Sequence, residues 1–178
     1  MAVKGPGASG GVPPWHHPGV NLEEHHTPAP WPRGGSGPWL GYATLAPLAL
    51  GLATLALAPD YALRELAQRI TLAWGAVLLA ATGAVHAGLM IAGRLPAGPA
   101  QVSGASLPAV AAAAALLVGG QRGLALLTIA AGLFWLYEHR VLGPLLPPDY
   151  LAVRRRLAVL TCIVLALAAL ASDAGGLT

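Results

Sequence analysis

Long apolar runs alternate along the chain with short connectors that are polar or rich in proline and glycine. The longest run, residues 70–93, holds one ionisable residue, His86, and is followed by Arg94. A helix of that length crosses a hydrocarbon layer of about 30 Å. Four more apolar runs predict helices at residues 39–58, 106–118, 124–137 and 157–171. The pattern therefore predicts an all-α integral membrane protein, folded as a bundle of five transmembrane helices.

The residues within and between these helices predict where the helices bend and end. Pro47 removes one backbone hydrogen bond from the first helix, which we expect to bend there. The connector at residues 60–69 alternates charges at helical spacing and predicts a short amphipathic turn on the membrane surface. The Gly-Gly-Gln-Arg-Gly run at residues 119–123 predicts a tight hairpin. The Glu-His-Arg run at residues 138–140 is expected to protrude from the fourth helix, with its polar heads at the interface.

Composition supports the membrane assignment and excludes several classes of function. Hydrophobic residues make up 56% of the 178-residue chain and charged residues only 10%, against roughly 25% in a soluble domain. The net charge of +3 comes largely from bases that flank apolar segments, so lipid head groups are expected partners and nucleic acid is not. The single cysteine, Cys162, excludes an intramolecular disulfide and a cysteine-based metal knuckle.

The N-terminal region differs in composition from the rest of the chain. Residues 1–37 are rich in proline and glycine and lack apolar periodicity, which predicts an extended or disordered tail. The transmembrane domain is expected at residues 38–172, followed by a short C-terminal tail at residues 173–178. Four histidines in the N-terminal tail have a spacing that permits a metal site: His16, His17, His25 and His26. Adjacent histidines rarely bind one ion together, so a solvated or partner-bound tail is the preferred interpretation.

The distribution of basic residues predicts the orientation in the membrane. One set of segments outside the helices carries seven bases, which are Lys4, Arg33, Arg94, Arg140, Arg154, Arg155 and Arg156. The opposite set carries three, which are Arg64, Arg69 and Arg122. The positive-inside rule then predicts a cytoplasmic N-terminus and, after five spans, a periplasmic C-terminus. The residues before the first predicted helix resemble neither a signal peptide nor a transit peptide, so we expect the bacterial inner (plasma) membrane as the location.

Small or weakly polar residues share the side of the long helix on which His86 lies. Such a stripe lets a neighbouring helix approach closely, because leucine gains nothing by leaving lipid. The residues expected to make packing and polar contacts are Gly75, Thr82, Gly83, His86 and Gly88. Burial disfavours the imidazolium, so we expect a neutral imidazole bonded to a Ser/Thr hydroxyl or backbone carbonyl of another helix. An alternative role for His86 is axial ligation of a tetrapyrrole, for which His139 would be the second histidine ligand. The preferred interpretation is that the protein binds no cofactor.

Charged and polar residues also concentrate near the last loop, which is predicted to be cytoplasmic. The residues of interest there are Glu138, Asp149, Tyr150 and Arg154. Most of this charge is explained by side chains that contact water and lipid head groups at the membrane surface. The functional alternative is an ion pair from Glu138 or Asp149 to Arg154 that fixes the position of the loop. The sequence has no paired nucleophile and base, no pair of carboxylates within the membrane and no phosphate-binding loop, so we do not expect an enzyme.

Two short patterns resemble those of a known family. The predicted helix at residues 70–93 resembles a G-G-x-H-W-G pattern at Gly83, His86 and Gly88, with Ala87 where tryptophan is usual. The last loop is similar to an L-P-x-W-Y-x-x-L-R pattern at Leu146, Pro147, Tyr150, Val153 and Arg154, with Asp149 in place of tryptophan. The family is an uncharacterised group of membrane proteins, domain of unknown function 3429, that includes transmembrane protein 69. The resemblance covers about residues 38–170 and implies a five-helix topology without implying a reaction.

Two hypotheses about function follow from these observations. The first is a non-enzymatic accessory or assembly subunit of a larger respiratory or photosynthetic membrane complex, with the tail laid over that partner. It depends on the scarcity of transporter-like features in the sequence. Only two residues qualify, His86 as a polar group within the membrane and Pro47 as a helix breaker. The second is a small transporter or channel that uses His86.

Overall fold

The computed structural model describes residues 37–174, and within them every regular element is helical. Six α-helices follow one another: α1 Gly37–Ala43, α2 Ala46–Leu57, α3 Tyr61–Ile91, α4 Pro99–Val118, α5 Gly120–Tyr137 and α6 Pro148–Ala174. A π-helical turn, Glu138–Leu142, and a short 3-10 helix, Gly143–Leu145, join α5 to α6. The all-α class is therefore confirmed for this part of the chain, whereas the predicted N-terminal tail and its four histidines lie outside it.

Three helices are long and apolar enough to cross a membrane, judged by length and composition: Tyr61–Ile91, Pro99–Val118 and Pro148–Ser172. The central one is α3, which packs against α2, α4, α5 and α6. Many large apolar side chains point away from the bundle, among them Leu57, Ile91 and Leu117, each more than four-fifths exposed. Apolar side chains on the outside are expected where lipid is the solvent.

The first predicted helix is two helices in the structure, so the expectation of one bent helix is wrong in detail. α1 ends at Ala43, a turn at Thr44 and Leu45 separates it from α2, and Pro47 lies in the first turn of α2. A proline in the first turn loses no helical hydrogen bond, because the first amide groups of a helix have no partner inside it. Trp74 stabilises the interruption, since its Nε1 atom donates a hydrogen bond of 2.8 Å to the Thr44 carbonyl.

The predicted surface turn at residues 60–69 is instead the first part of α3. Asp60 caps this helix, because its side chain accepts a hydrogen bond of 2.9 Å from the backbone amide of Ala62. A capping aspartate satisfies an amide group that otherwise lacks a partner, so the helix begins there and runs for 31 residues. The fourth element, α4, likewise begins earlier than predicted, at Pro99, and contains Pro108 in its interior.

Two of the small residues predicted to pack on α3 are in close contact with neighbouring helices. A Cβ atom built on Gly75 would lie 3.0 Å from side-chain atoms of both Leu127 and Leu165. A Cβ atom on Gly83 would overlap the carbonyl oxygen of Ala105 in α4. Gly88 differs, because it is exposed and a Cβ atom there would meet nothing within 4 Å. The prediction that Gly88 takes part in helix packing is therefore wrong.

The predicted hairpin between the third and fourth apolar runs is present. It turns at Gly119, whose φ of 68° and ψ of 177° lie in a region that residues with a side chain avoid. The Gly119 amide still donates a hydrogen bond of 3.0 Å to the Ala115 carbonyl, which ends α4.

Gly119→Ala should lower the free energy of unfolding by roughly 1 kcal/mol, because the alanine side chain is strained at this φ and ψ. Gly132→Ala is the matched control, since a Cβ atom there meets nothing within 4 Å and the residue lies inside α5. Unfolding by SDS titration should show a loss for the first variant and no loss for the second. Equal stability of the two variants would contradict the prediction.

Candidate functional site

Four polar side chains meet inside the bundle, and they come from three separate parts of the chain. His86 lies on α3, Glu138 begins the π-helical turn, and Tyr150 and Arg154 lie in the first two turns of α6. The side chains of His86 and Glu138 are each 1% exposed. We call these four residues the polar cluster.

The π-helical turn brings Glu138 into the bundle. A π-helical turn is wider than an α-helical one and is frequent at functional sites. Glu138 is buried, whereas the next two residues, His139 and Arg140, are exposed. The expectation that all three heads reach the interface is therefore wrong for Glu138. His139 instead stacks on Trp135, with ring centroids 5.9 Å apart.

Glu138 is held by charge and by hydrogen bonds from α6. The Nε atom of Arg154 donates to Oε2 of Glu138 at 2.9 Å, and the Tyr150 hydroxyl lies 3.4 Å from Oε1. Of the two acids considered as partners for Arg154, the structure selects Glu138, because Asp149 is exposed and Arg154 pairs with Glu138. A carboxylate buried in an apolar bundle requires such a partner to remain charged.

The hydrogen bonds of His86 identify which ring nitrogen carries the proton in the neutral form. Nδ1 lies 2.9 Å from the Thr82 carbonyl oxygen. That oxygen can only accept a hydrogen bond, so Nδ1 is the protonated nitrogen. The predicted bond to a backbone carbonyl is thus present, but the carbonyl belongs to the same helix, four residues earlier. Phe134 packs its ring edge-to-face with the imidazole at a centroid distance of 5.4 Å.

The second ring nitrogen of His86 has no hydrogen-bond partner in the described residues. This atom, Nε2, lies 3.5 Å from Oε1 of Glu138, at the long limit for a hydrogen bond. In the neutral imidazole Nε2 carries a lone pair, as does the carboxylate oxygen opposite. The contact is therefore favourable only when a proton lies between the two atoms.

A cavity of about 190 Å³ adjoins the polar cluster. It lies beside the interruption between α1 and α2 and is bordered by α3, α5 and α6. Tyr150 and Arg154 form part of its wall near the cluster, and Leu127 and Leu165 form part of its wall farther into the bundle. The cavity thus has a polar end and an apolar end.

The side chains around His86 can be compared with the predictions of a metal site and of a bound tetrapyrrole. Within residues 37–174 no group of three or more His, Cys, Asp or Glu side chains is close enough to hold a metal ion. His86 turns one nitrogen to the Thr82 carbonyl and the other to Glu138. Axial ligation of a tetrapyrrole by His86 would therefore require the Glu138 carboxylate to move away.

Sequence reasoning named all four residues of the polar cluster but assigned them to different sites. It placed His86 in a helix interface, and it placed Glu138, Tyr150 and Arg154 in a surface loop. The order of the helices could have indicated that His86 and Glu138 lie near each other. With α4 as an antiparallel connection, α3 and α5 run in the same direction, so the later parts of both helices lie at the same end of the bundle.

The fold and the site together define a class of protein: a small helical membrane protein with a buried ionic cluster beside a cavity. Comparison with known families identifies the chain more closely. Residues 37–170 match the family described as "Protein of unknown function (DUF3429)", and the chain belongs to that family. The relation to transmembrane protein 69 stays a prediction. No curated protein and no solved structure matches the chain.

Proposed function

We propose that this chain is a small transporter or channel that moves protons through His86 and Glu138. The observation that carries the proposal is the approach of the unpartnered Nε2 atom of His86 to the Glu138 carboxylate. A proton bound between these atoms replaces the repulsion of two lone pairs with a hydrogen bond. The pair is therefore a proton-binding site inside an apolar bundle.

The cavity offers a route between this site and the outside of the bundle. Tyr150 and Arg154 both contact Glu138 and both line the cavity, so they link the buried carboxylate to it. The interruption at Thr44 and Leu45 borders the same cavity. Discontinuous helices and buried ionisable residues are common at the binding sites of transporters. The polar cluster adds Glu138 and Arg154 to the features His86 and Pro47, which were the only transporter-like ones in the sequence, and so supports the transporter over the accessory subunit.

The proposal includes five membrane crossings, with α1 and α2 together forming the first and α5 forming the fourth. Basic residues support one orientation, because Arg140, Arg155 and Arg156 lie at the end of the bundle that holds the cluster. By the positive-inside rule this end is cytoplasmic, the N-terminus lies on the same side and the C-terminus is periplasmic. The proposed location is the bacterial inner membrane.

Proton flux into vesicles tests the proposal. Purified protein is reconstituted into liposomes that contain a pH-sensitive dye, with potassium and valinomycin present to balance charge. After an acid step outside, vesicles with wild-type protein should acidify faster than protein-free vesicles. His86→Gln should return the rate to that of protein-free vesicles, because an amide does not take up and release protons as imidazole does.

The matched control for this experiment is His139→Gln, because His139 is exposed and lies outside the polar cluster. Vesicles with this variant should acidify at the wild-type rate. The proposal is wrong if wild-type protein adds nothing to the rate of protein-free vesicles, or if His86→Gln leaves the rate unchanged.

We propose as a second candidate a non-enzymatic accessory or assembly subunit of a larger energy-transducing membrane complex. The observation that favours it is the extensive outward apolar surface, which includes Leu57 and Leu117 and which a partner helix can cover as well as lipid can. Gentle solubilisation followed by identification of co-purifying proteins tests this candidate. A monodisperse particle that contains this chain alone would count against it.

A further inference from the structure

Arg154 carries hydrogen-bond donors that the protein itself does not use. Its Nε atom donates to Oε2 of Glu138, while its two terminal amino groups have no partner within residues 37–174. The side chain is 19% exposed and lines the cavity beside the polar cluster. A guanidinium group with free amino groups binds a carboxylate through charge-assisted hydrogen bonds in a fixed plane.

Beyond Arg154 the cavity wall is mostly apolar. Its threonines, Thr44, Thr82 and Thr161, each donate their hydroxyl to a backbone carbonyl three or four residues earlier. Along α6 the wall extends from Arg154 to Leu165, which is about 16 Å at the rise of an α-helix. Leu127 and Phe134 of α5 form another part of this wall. Ala81 also lines the cavity and is exposed, so the cavity opens toward the outer face of α3, where lipid is expected. The cavity is therefore elongated, apolar along most of its length and cationic at one end.

The charges of the polar cluster select the head group. Arg154 and Glu138 together carry no net charge, so a bound monoanion adds one negative charge. One proton on His86 balances that charge, whereas a phosphate monoester would add a second negative charge that no group of the cluster balances. A cationic head group would be repelled by Arg154.

We infer that the cavity is a binding site for a single-chain amphiphile with one carboxylate. The carboxylate binds the free amino groups of Arg154, and the chain lies along α6 toward Leu165. The inference rests on the proposed function only for the compensating proton at His86.

Binding of radiolabelled decanoate to the full chain in lipid nanodiscs tests the inference, with protein-free nanodiscs subtracted. Wild-type protein should bind decanoate saturably, with one molecule per chain. Ala81→Phe fills the cavity opening and should raise the Kd at least tenfold, while Ala84→Phe should not, because Ala84 is exposed on α3 and does not line the cavity. Arg154→Lys keeps the charge but loses the planar pair of donors, and should raise the Kd roughly tenfold.

Competition identifies the head group that the site prefers. Unlabelled decyltrimethylammonium should not displace decanoate, and decyl phosphate should do so only at higher concentration than decanoate itself. Equal displacement by the cation would show that only the chain is bound and would overturn the inference. Tighter binding of decyl phosphate would overturn the choice of a carboxylate. Absence of saturable decanoate binding would also overturn it.

The outcomes of this experiment and of the proton-flux experiment are separable. Saturable decanoate binding by a protein that conducts no protons removes the proposed function and leaves the inference standing. Proton flux through His86 without decanoate binding removes the inference alone.

Discussion

Replacing Arg154 with methionine should lower the free energy of unfolding by about 3 kcal/mol, because it leaves the buried Glu138 carboxylate without its charged partner. Removal of one member of a fully buried ion pair costs about 3–5 kcal/mol. The low end applies here because Arg154 is partly exposed, although Glu138 is not. Titration with SDS, followed by circular dichroism, measures the loss.

Two further variants separate the charge effect from a general effect of losing an arginine. Arg155→Met removes an exposed arginine next to Arg154 and should change stability by less than about 0.5 kcal/mol. Glu138→Gln combined with Arg154→Met removes both charges and should be more stable than Arg154→Met alone. If the double variant shows no such recovery, Glu138 is not the reason for the loss.

The helices were the part of the fold that the sequence predicted best. An apolar run of membrane length, such as residues 70–93, has few structural alternatives, because its backbone must satisfy its own hydrogen bonds in lipid. Helix ends were less predictable where polar residues take part. The charged connector before residue 70 predicts a separate turn, yet Asp60 caps α3 and the nine residues 61–69 form the first part of that helix.

The polar cluster could not be assembled from the sequence, although its members were named. Its formation depends on the change from α5 to a π-helical turn at Glu138, which directs this side chain inward while His139 and Arg140 stay outside. The order Glu-His-Arg after an apolar helix is equally typical of side chains that extend to the interface. Tertiary packing therefore decides the orientation of Glu138, and the choice of Glu138 over Asp149 as the partner of Arg154 follows from it.

The contact of α3 with α4 gives the second large expected effect. Gly83→Ala should lower the free energy of unfolding by about 2 kcal/mol, because its Cβ atom overlaps the Ala105 carbonyl and the two helices must separate. An oxygen of the backbone cannot turn aside as the end of a flexible side chain can, and Pro108 limits adjustment on the same side, with its Cγ atom 3.3 Å from the added carbon.

Gly88→Ala provides the control for Gly83→Ala, since it makes the same chemical change five residues farther along α3 at a position where a Cβ atom meets nothing. Alanine favours a helix over glycine by about 0.8–1 kcal/mol, so this variant should be as stable as the wild type or more stable. SDS titration of both variants measures the difference directly. If Gly83→Ala gains stability as Gly88→Ala does, α3 and α4 are not in backbone contact at Gly83. That result would show that α3 and α4 are farther apart than the structure places them.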